Sequence, residues 1–190
     1  MADASMPTHI PTNSTPDGDG VLVGDGPVRI DAFIDLLCPY CRQFELSSGE
    51  MLAELVSSGH ASTAYHPMNF LDEASTTNYS TRAAAASGCA ADAGRFAEYA
   101  HALFVHQPPE GGPGLTDQQL ADIGRLVGLD GPPFTTCLAQ APYLEWPSYV
   151  TARAVGLGVE STPTVLVSGA PVRADPQAIA AAVSLAVSAL

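Results

Sequence analysis

Two cysteines stand two residues apart in Cys38-Pro39-Tyr40-Cys41. Thiols at that spacing lie about one helical turn from each other, so they can open and close an intramolecular disulfide. The chemistry on offer is thiol–disulfide exchange. A cysteine at a helix N-terminus meets unpaired backbone N–H groups and the positive end of the helix dipole, which favour the thiolate. Cys38 is therefore expected to be the exposed, acidic nucleophile and Cys41 the buried resolving thiol. Pro39 suits the first helical turn, where no N–H donor is needed. Far along the chain, Ser161-Thr162-Pro163-Thr164 precedes an apolar run. A Thr-Pro there fits a cis-proline loop packed against the cysteine pair, with the Thr162 backbone free to pair with an extended peptide. Read singly, each feature has a plainer alternative: a metal clip or passive bond for the cysteines, and an ordinary trans proline for Pro163.

The elements that would position these groups follow from the surrounding pattern. Residues 28–37, VRIDAFIDLL, are apolar and β-branched enough for a buried central strand, and the cysteine pair follows at once. Phe44, Leu52, Leu55 and Val56 recur at helical spacing up to Ser57-Ser58-Gly59. Strands are expected at Val21–Val23, at residues 61–67 and at Thr164–Val167, with Ser168–Pro171 as a turn and Val172 opening a short partner strand. Asp175-Pro176 reads as the N-cap and first residue of a last helix. Between 75 and 157 Ala-rich segments alternate with Gly/Pro loops, giving four or five helices and no strand. The fold class is α/β: a thioredoxin-like domain over 19–74 and 158–190, a helical insertion over 75–157, and a flexible arm over 1–18.

Composition narrows the function. The 190 residues carry 20 acidic and 7 basic side chains, a net charge of −13, and no lysine occurs. The missing amine excludes Schiff-base, Walker-loop and kinase-type catalysis, and the acidic surface disfavours nucleic acid and anionic lipid as partners. No apolar run approaches the ~18 residues of a membrane span. The other cysteines, Cys89 and Cys137, supply neither a second CxxC nor a spaced His pair, so no metal is expected. Whether they are bonded to each other or are two buried free thiols stays open on residue type alone. His66, His106, Tyr143, Trp146 and Tyr149 read as structural.

FIDLLCPYC followed by RQFE, with STPTVLVSG near the C-terminus and helices between, resembles the DsbA-like thiol-disulfide oxidoreductases of the thioredoxin superfamily. The similarity is to the bacterial branch carrying D-x-x-C-P-x-C, of actinobacterial type, over about residues 20–190. Glutaredoxins share CPYC but are far shorter. The resemblance implies Cys38 as attacking thiolate, Cys41 as resolving thiol, and Pro39, Tyr40, Thr162 and Pro163 as substrate-binding residues. It implies Asp35 as the acidic group that takes the Cys41 proton, and Cys89–Cys137 as a structural disulfide. It implies no cofactor beyond the redox-active disulfide. The partners would be unfolded or reduced proteins bearing cysteines and a membrane quinone-linked oxidase of the vitamin K epoxide reductase type, with the chain a monomer. Tyr40 stands where the best-known strong oxidant has histidine. A neutral phenol stabilises a thiolate less than an imidazole, so a milder oxidant is expected.

Three functions compete on this reading: a disulfide-introducing oxidase, a reductase or isomerase of the same fold, and a redox-inactive peptide-holding module. The intact CxxC with its Thr-Pro loop argues against the last. Placement is expected to be extracytoplasmic if the chain is a mature fragment, and cytoplasmic otherwise, because residues 1–20 lack the charged and apolar regions of a signal peptide.

Overall fold

The structure is a computed structural model and describes residues 5–189. Five strands form one sheet in the order β1-β3-β2-β4-β5. The strands are β1 (Val21–Val23), β2 (Val28–Asp35), β3 (Ala61–Met68), β4 (Thr164–Val167) and β5 (Ala170–Val172). β2 lies central, parallel to β3 and antiparallel to β4. Helix α1 (Pro39–Ser57) makes the crossover from β2 to β3 that a parallel pair requires. Between β3 and β4 run a 3-10 turn at Asp72–Ala74 and five helices: α2 (Tyr79–Asp92), α3 (Phe96–Val105), α4 (Asp117–Leu126), α5 (Pro132–Gln140) and α6 (Trp146–Gly156). Helix α7 (Pro176–Ser188) closes the chain, with Asp175 accepting the Ala178 N–H as the expected cap.

Sheet and helices share one apolar core, in which Ile30, Leu52, Met68, Tyr79, Leu103 and Trp146 are fully buried. Helix α2 packs because it is alanine-rich: nearly all of it from Tyr79 to Ala91 is buried, and small side chains let α3, α5 and α6 approach closely. No helix among the described residues is long and apolar enough to cross a membrane.

Three expectations need revision. The central strand ends at Asp35, two residues early, because the Asp35 carboxylate accepts the Leu37 N–H and its carbonyl accepts the Cys38 N–H, which turns the chain. The C-terminal hairpin turn is tighter than residues 168–171. Ser168 and Gly169 both have positive φ, the geometry of a two-residue hairpin turn, so Pro171 falls inside edge strand β5. The arm expected to be flexible over 1–18 is a hydrogen-bonded strap in its described part. Thr12 donates to Asp92, Trp146 to the Gly18 carbonyl and Tyr149 to the Asp17 carbonyl. Residues 1–4 of that arm and Leu190 lie outside the described residues. His66 ties the same strap to the sheet: it is buried, stacks on Phe33 and bonds the Asp19 carbonyl and the Asp31 carboxylate.

Candidate active site

The sheet topology gathers the candidate residues at one end. Because β4 runs antiparallel to β2, with Phe33 opposite Thr164, the residues just before β4 sit beside those just after β2. Thr162-Pro163 thus meets Cys38. Because β3 runs parallel to β2, with Asp35 opposite Met68, the turn after β3 meets Asp35 as well.

Cys38 is the N-cap of α1, in extended conformation, with Pro39 at the first helical position. Its thiol faces the carbonyl of Thr162 at 3.4 Å, and the Thr162–Pro163 peptide is cis. The thiol is pulled down to about 6, first by a hydrogen bond from the Cys41 thiol. Burial opposes that pull, while backbone N–H groups of Cys41 and Tyr40 and the Thr162 side chain add to it. Cys41 is pushed far the other way by burial and by the neighbouring Cys38. The ultraviolet thiolate absorbance of the reduced protein is accordingly expected to titrate with a midpoint at about 6. A midpoint near the ordinary thiol value of ~8.5 would contradict this account of Cys38.

Cys38 is not the exposed thiol expected from its position: it is 5% exposed against 0% for Cys41. Thr162 covers it from one side, and Gln107 closes over the turn by donating to the carbonyls of Leu36 and Cys38 at 3.0 Å. Tyr40, by contrast, is 70% exposed, so the phenol faces solvent and only the Tyr40 backbone N–H bears on the thiolate.

Asp35 is fully buried, and burial raises its carboxyl to about 6 against the pull of its hydrogen bonds. Oδ1 accepts from Leu37 N–H at 2.9 Å and from Ser80 Oγ at 2.6 Å, and Oδ2 accepts from Leu71 N–H at 2.9 Å. Its own N–H points at the Cys41 sulfur, 3.4 Å away. Ser80, Leu71 and Gln107 were not marked by any motif. Each reaches the site through tertiary packing, and a serine in the first turn of an Ala-rich helix carries no distinctive signal.

Cys89 and Cys137 are joined by a disulfide that links α2 to α5. His66 and His106 do not join the site: His66 holds the strap, and the His106 ring donates to the Ala102 carbonyl at the end of α3.

Residues 18–184 match the family described as Thioredoxin. Among solved structures, the chain is similar to the reduced disulfide bond oxidoreductase DsbG of Mycobacterium tuberculosis, with 31% identity, TM-score 0.78, and 88% and 87% of the two chains covered. It is similar also to oxidised DsbA of that organism, with 31% identity, TM-score 0.78, and 89% and 93% covered. The thiol-disulfide oxidoreductase MdbA of Actinomyces oris shares the fold at 19% identity and TM-score 0.74, covering 92% and 91%. The serine/threonine-protein kinase PknE of M. tuberculosis is 38% identical over 129 residues, 63% of this chain. The chain matches only 23% of that protein's length. Lacking any lysine, it has no side chain for the amine that kinase catalysis needs.

Proposed function

The chain belongs to the thioredoxin family and within it to the DsbA-like thiol-disulfide oxidoreductases, and from that premise we propose that it oxidises protein dithiols with a Cys38–Cys41 disulfide. The observation that carries this reading is the opposite treatment of the two thiols: Cys38 is lowered to about 6 while burial raises Cys41. A substrate thiolate attacks Cys38 sulfur, and the Cys38–Cys41 bond breaks with its electrons on Cys41. The second substrate thiolate then attacks the substrate sulfur of the mixed disulfide and expels Cys38 as a thiolate. The substrate has lost two electrons and two protons. Cysteine sulfur carries the electrons, so the exchange itself calls for no other cofactor.

In this reading Asp35 moves the Cys41 proton and Ser80 holds Asp35 in place. Cys41 is a poor thiolate in its buried position and needs a proton when it leaves the disulfide. In the reverse step, when Cys41 attacks a mixed disulfide on Cys38, ionised Asp35 is the base, active above about pH 6 and lost as pH falls through it. Asp35→Asn is expected to slow that attack by roughly 100-fold, the lower end of general acid–base contributions, and to remove the pH inflection. A single-turnover trace with an unchanged rate would dismiss the role. The same raised carboxyl has a stability consequence. The neutral form is favoured in the folded state, so its contribution is full below about pH 4 and lost as pH rises through about 6, at a cost of ~3 kcal/mol. Denaturant unfolding should show this slope, flattened in Asp35→Asn.

Pro39, Tyr40, Thr162 and Pro163 form the substrate face, with the Thr162 backbone as the edge for an extended peptide. Each turnover leaves both cysteines reduced, so an oxidant is required. A membrane quinone-linked oxidase of the vitamin K epoxide reductase type fits that need, with the protein acting as a monomer. The Cys89–Cys137 bond favours an extracytoplasmic setting, because cytosolic thiols are kept reduced. Mixing the oxidised protein with one equivalent of a reduced, unfolded cysteine-bearing protein tests the direction: transfer of the disulfide to substrate is expected, and retention by the enzyme would favour the reductase reading.

A further inference from the structure

A groove of about 640 Å³ opens between α1, α3 and the β1–β3 edge of the sheet, two helical turns along α1 from Cys38. Its volume falls in the ~300–1,000 Å³ range of small-molecule sites. Leu52, Val56, Val23 and Val127 make most of it apolar, yet polar groups are set into its depth. Thr63, on the floor, is 1% exposed and its hydroxyl has no hydrogen-bond partner. That oxygen is closed to solvent, so a polar group that a ligand can reach here is the Glu45 carboxylate.

Glu45 on the wall is 7% exposed. Its Oε1 accepts from the half-exposed His101 at 3.0 Å, and Oε2 has no hydrogen bond among the described residues. Gly49 makes this possible. A Cβ there would meet Oε1 at 2.6 Å, so a mid-helix glycine, worth about 1 kcal/mol less than alanine, is what lets the carboxylate fold against α1. The charged groups facing the groove are Glu45, Glu50, Glu98 and His101, and Glu98 is paired outward with Arg95 at 3.3 Å. Three of these four charged groups are acidic, and Ser57, Thr63 and Tyr65 are the neutral polar side chains of the lining.

We propose that this groove binds a small amphipathic amine, its apolar body against Leu52 and Val56 and its ammonium on Glu45 Oε2. The site is separate from the cysteine pair. Its volume suits a compact ligand better than a peptide strand.

The experiment is calorimetric titration of the full chain with three molecules of one shape: 4-phenylbutylamine, 4-phenylbutanol and 4-phenylbutyrate. The amine is expected to bind about tenfold more tightly than the alcohol, the scale of one charge-assisted hydrogen bond, and the carboxylate not measurably at millimolar concentration. Glu45→Gln should bring amine and alcohol within about twofold of each other. Ala97→Leu, which adds bulk to the lining and leaves the Glu45 carboxylate in the sequence, should weaken both amine and alcohol about tenfold. The wild-type series and Ala97→Leu decide the matter if Glu45→Gln does not fold. Equal binding of amine and alcohol, preference for the carboxylate, no binding at all, or tighter binding of the blocked peptide acetyl-Leu-Lys-Leu-amide would each overturn the proposal.

Discussion

Replacing Cys38 with serine is expected to reduce exchange to the uncatalysed rate, whereas Cys41→Ser is expected to keep the first chemical step and lose the second. Exchange needs a thiolate, and at neutral pH only Cys38, lowered to about 6, is mostly ionised. The buried Cys41 attacks only after Cys38 has formed a mixed disulfide beside it. Reduced Cys41→Ser mixed with a disulfide-bearing peptide should therefore accumulate a covalent adduct one peptide heavier, and mass mapping should place it on Cys38. The Cys38→Ser variant should give none. An adduct on Cys41 in the Cys38→Ser variant, formed at a comparable rate, would reverse the assignment of nucleophile.

The largest effect on stability is expected from breaking the bond between Cys89 and Cys137. Their separation of 48 residues corresponds to about 4 kcal/mol by the chain-entropy relation, roughly a 1,000-fold change in the folding constant. The local consequence is sharper. Helix α5 contributes only Phe134 as a buried residue, so the covalent link to α2 does much of the work of holding it. In Cys89→Ala/Cys137→Ala, amide exchange across α5 should accelerate first, with global unfolding shifted to lower denaturant. Free-thiol counting gives a second readout: mild reduction of the native protein should expose two thiols, those of Cys38 and Cys41. Four thiols, or a double variant as stable as the parent, would remove the structural role and with it the argument for an oxidising compartment.

The contrast between legible and illegible parts of this site has a physical basis. Cys38, Cys41 and Pro39 announced themselves because their chemistry depends on spacing within one turn of chain, which sequence displays directly. Thr162-Pro163 was readable for a related reason, since a proline just before an apolar run restricts few backbones. The burial of Cys38 was not readable. Cys38 is met by Thr162, 124 residues on, and its turn by Gln107, which arrives from beyond α3 to bond two carbonyls. Ser80 and Leu71 likewise act on Asp35 across 45 and 36 residues of chain. The order of the strap over residues 12–18 escaped because its partners are carbonyls met by Trp146 and Tyr149, and carbonyls have no side-chain signature. The early end of β2 had the opposite character: Asp35 is the residue that turns the chain, so its role in the fold and its place in the site are one feature.

The direction of catalysis turns on how far the Cys38 thiolate is stabilised, because stabilising it favours the reduced enzyme and makes the disulfide more oxidising. Among proteins of this fold that thiol spans from ~3.5 in the strong oxidant to ~7 in thioredoxin, with potentials of about −120 and −270 mV. A tenfold change in thiolate stability is worth ~30 mV, so a value of about 6 counts as ~75 mV below the first and ~30 mV above the second. The exposed Tyr40 fits that intermediate position, since it adds no charge beside the thiolate. The reduction potential of the Cys38–Cys41 pair, measured against a glutathione redox buffer with Cys89–Cys137 intact, tests the account most directly. It predicts a value between about −240 and −195 mV, in the range of a mild oxidant. A value at or below about −270 mV would contradict it and make the protein a reductase.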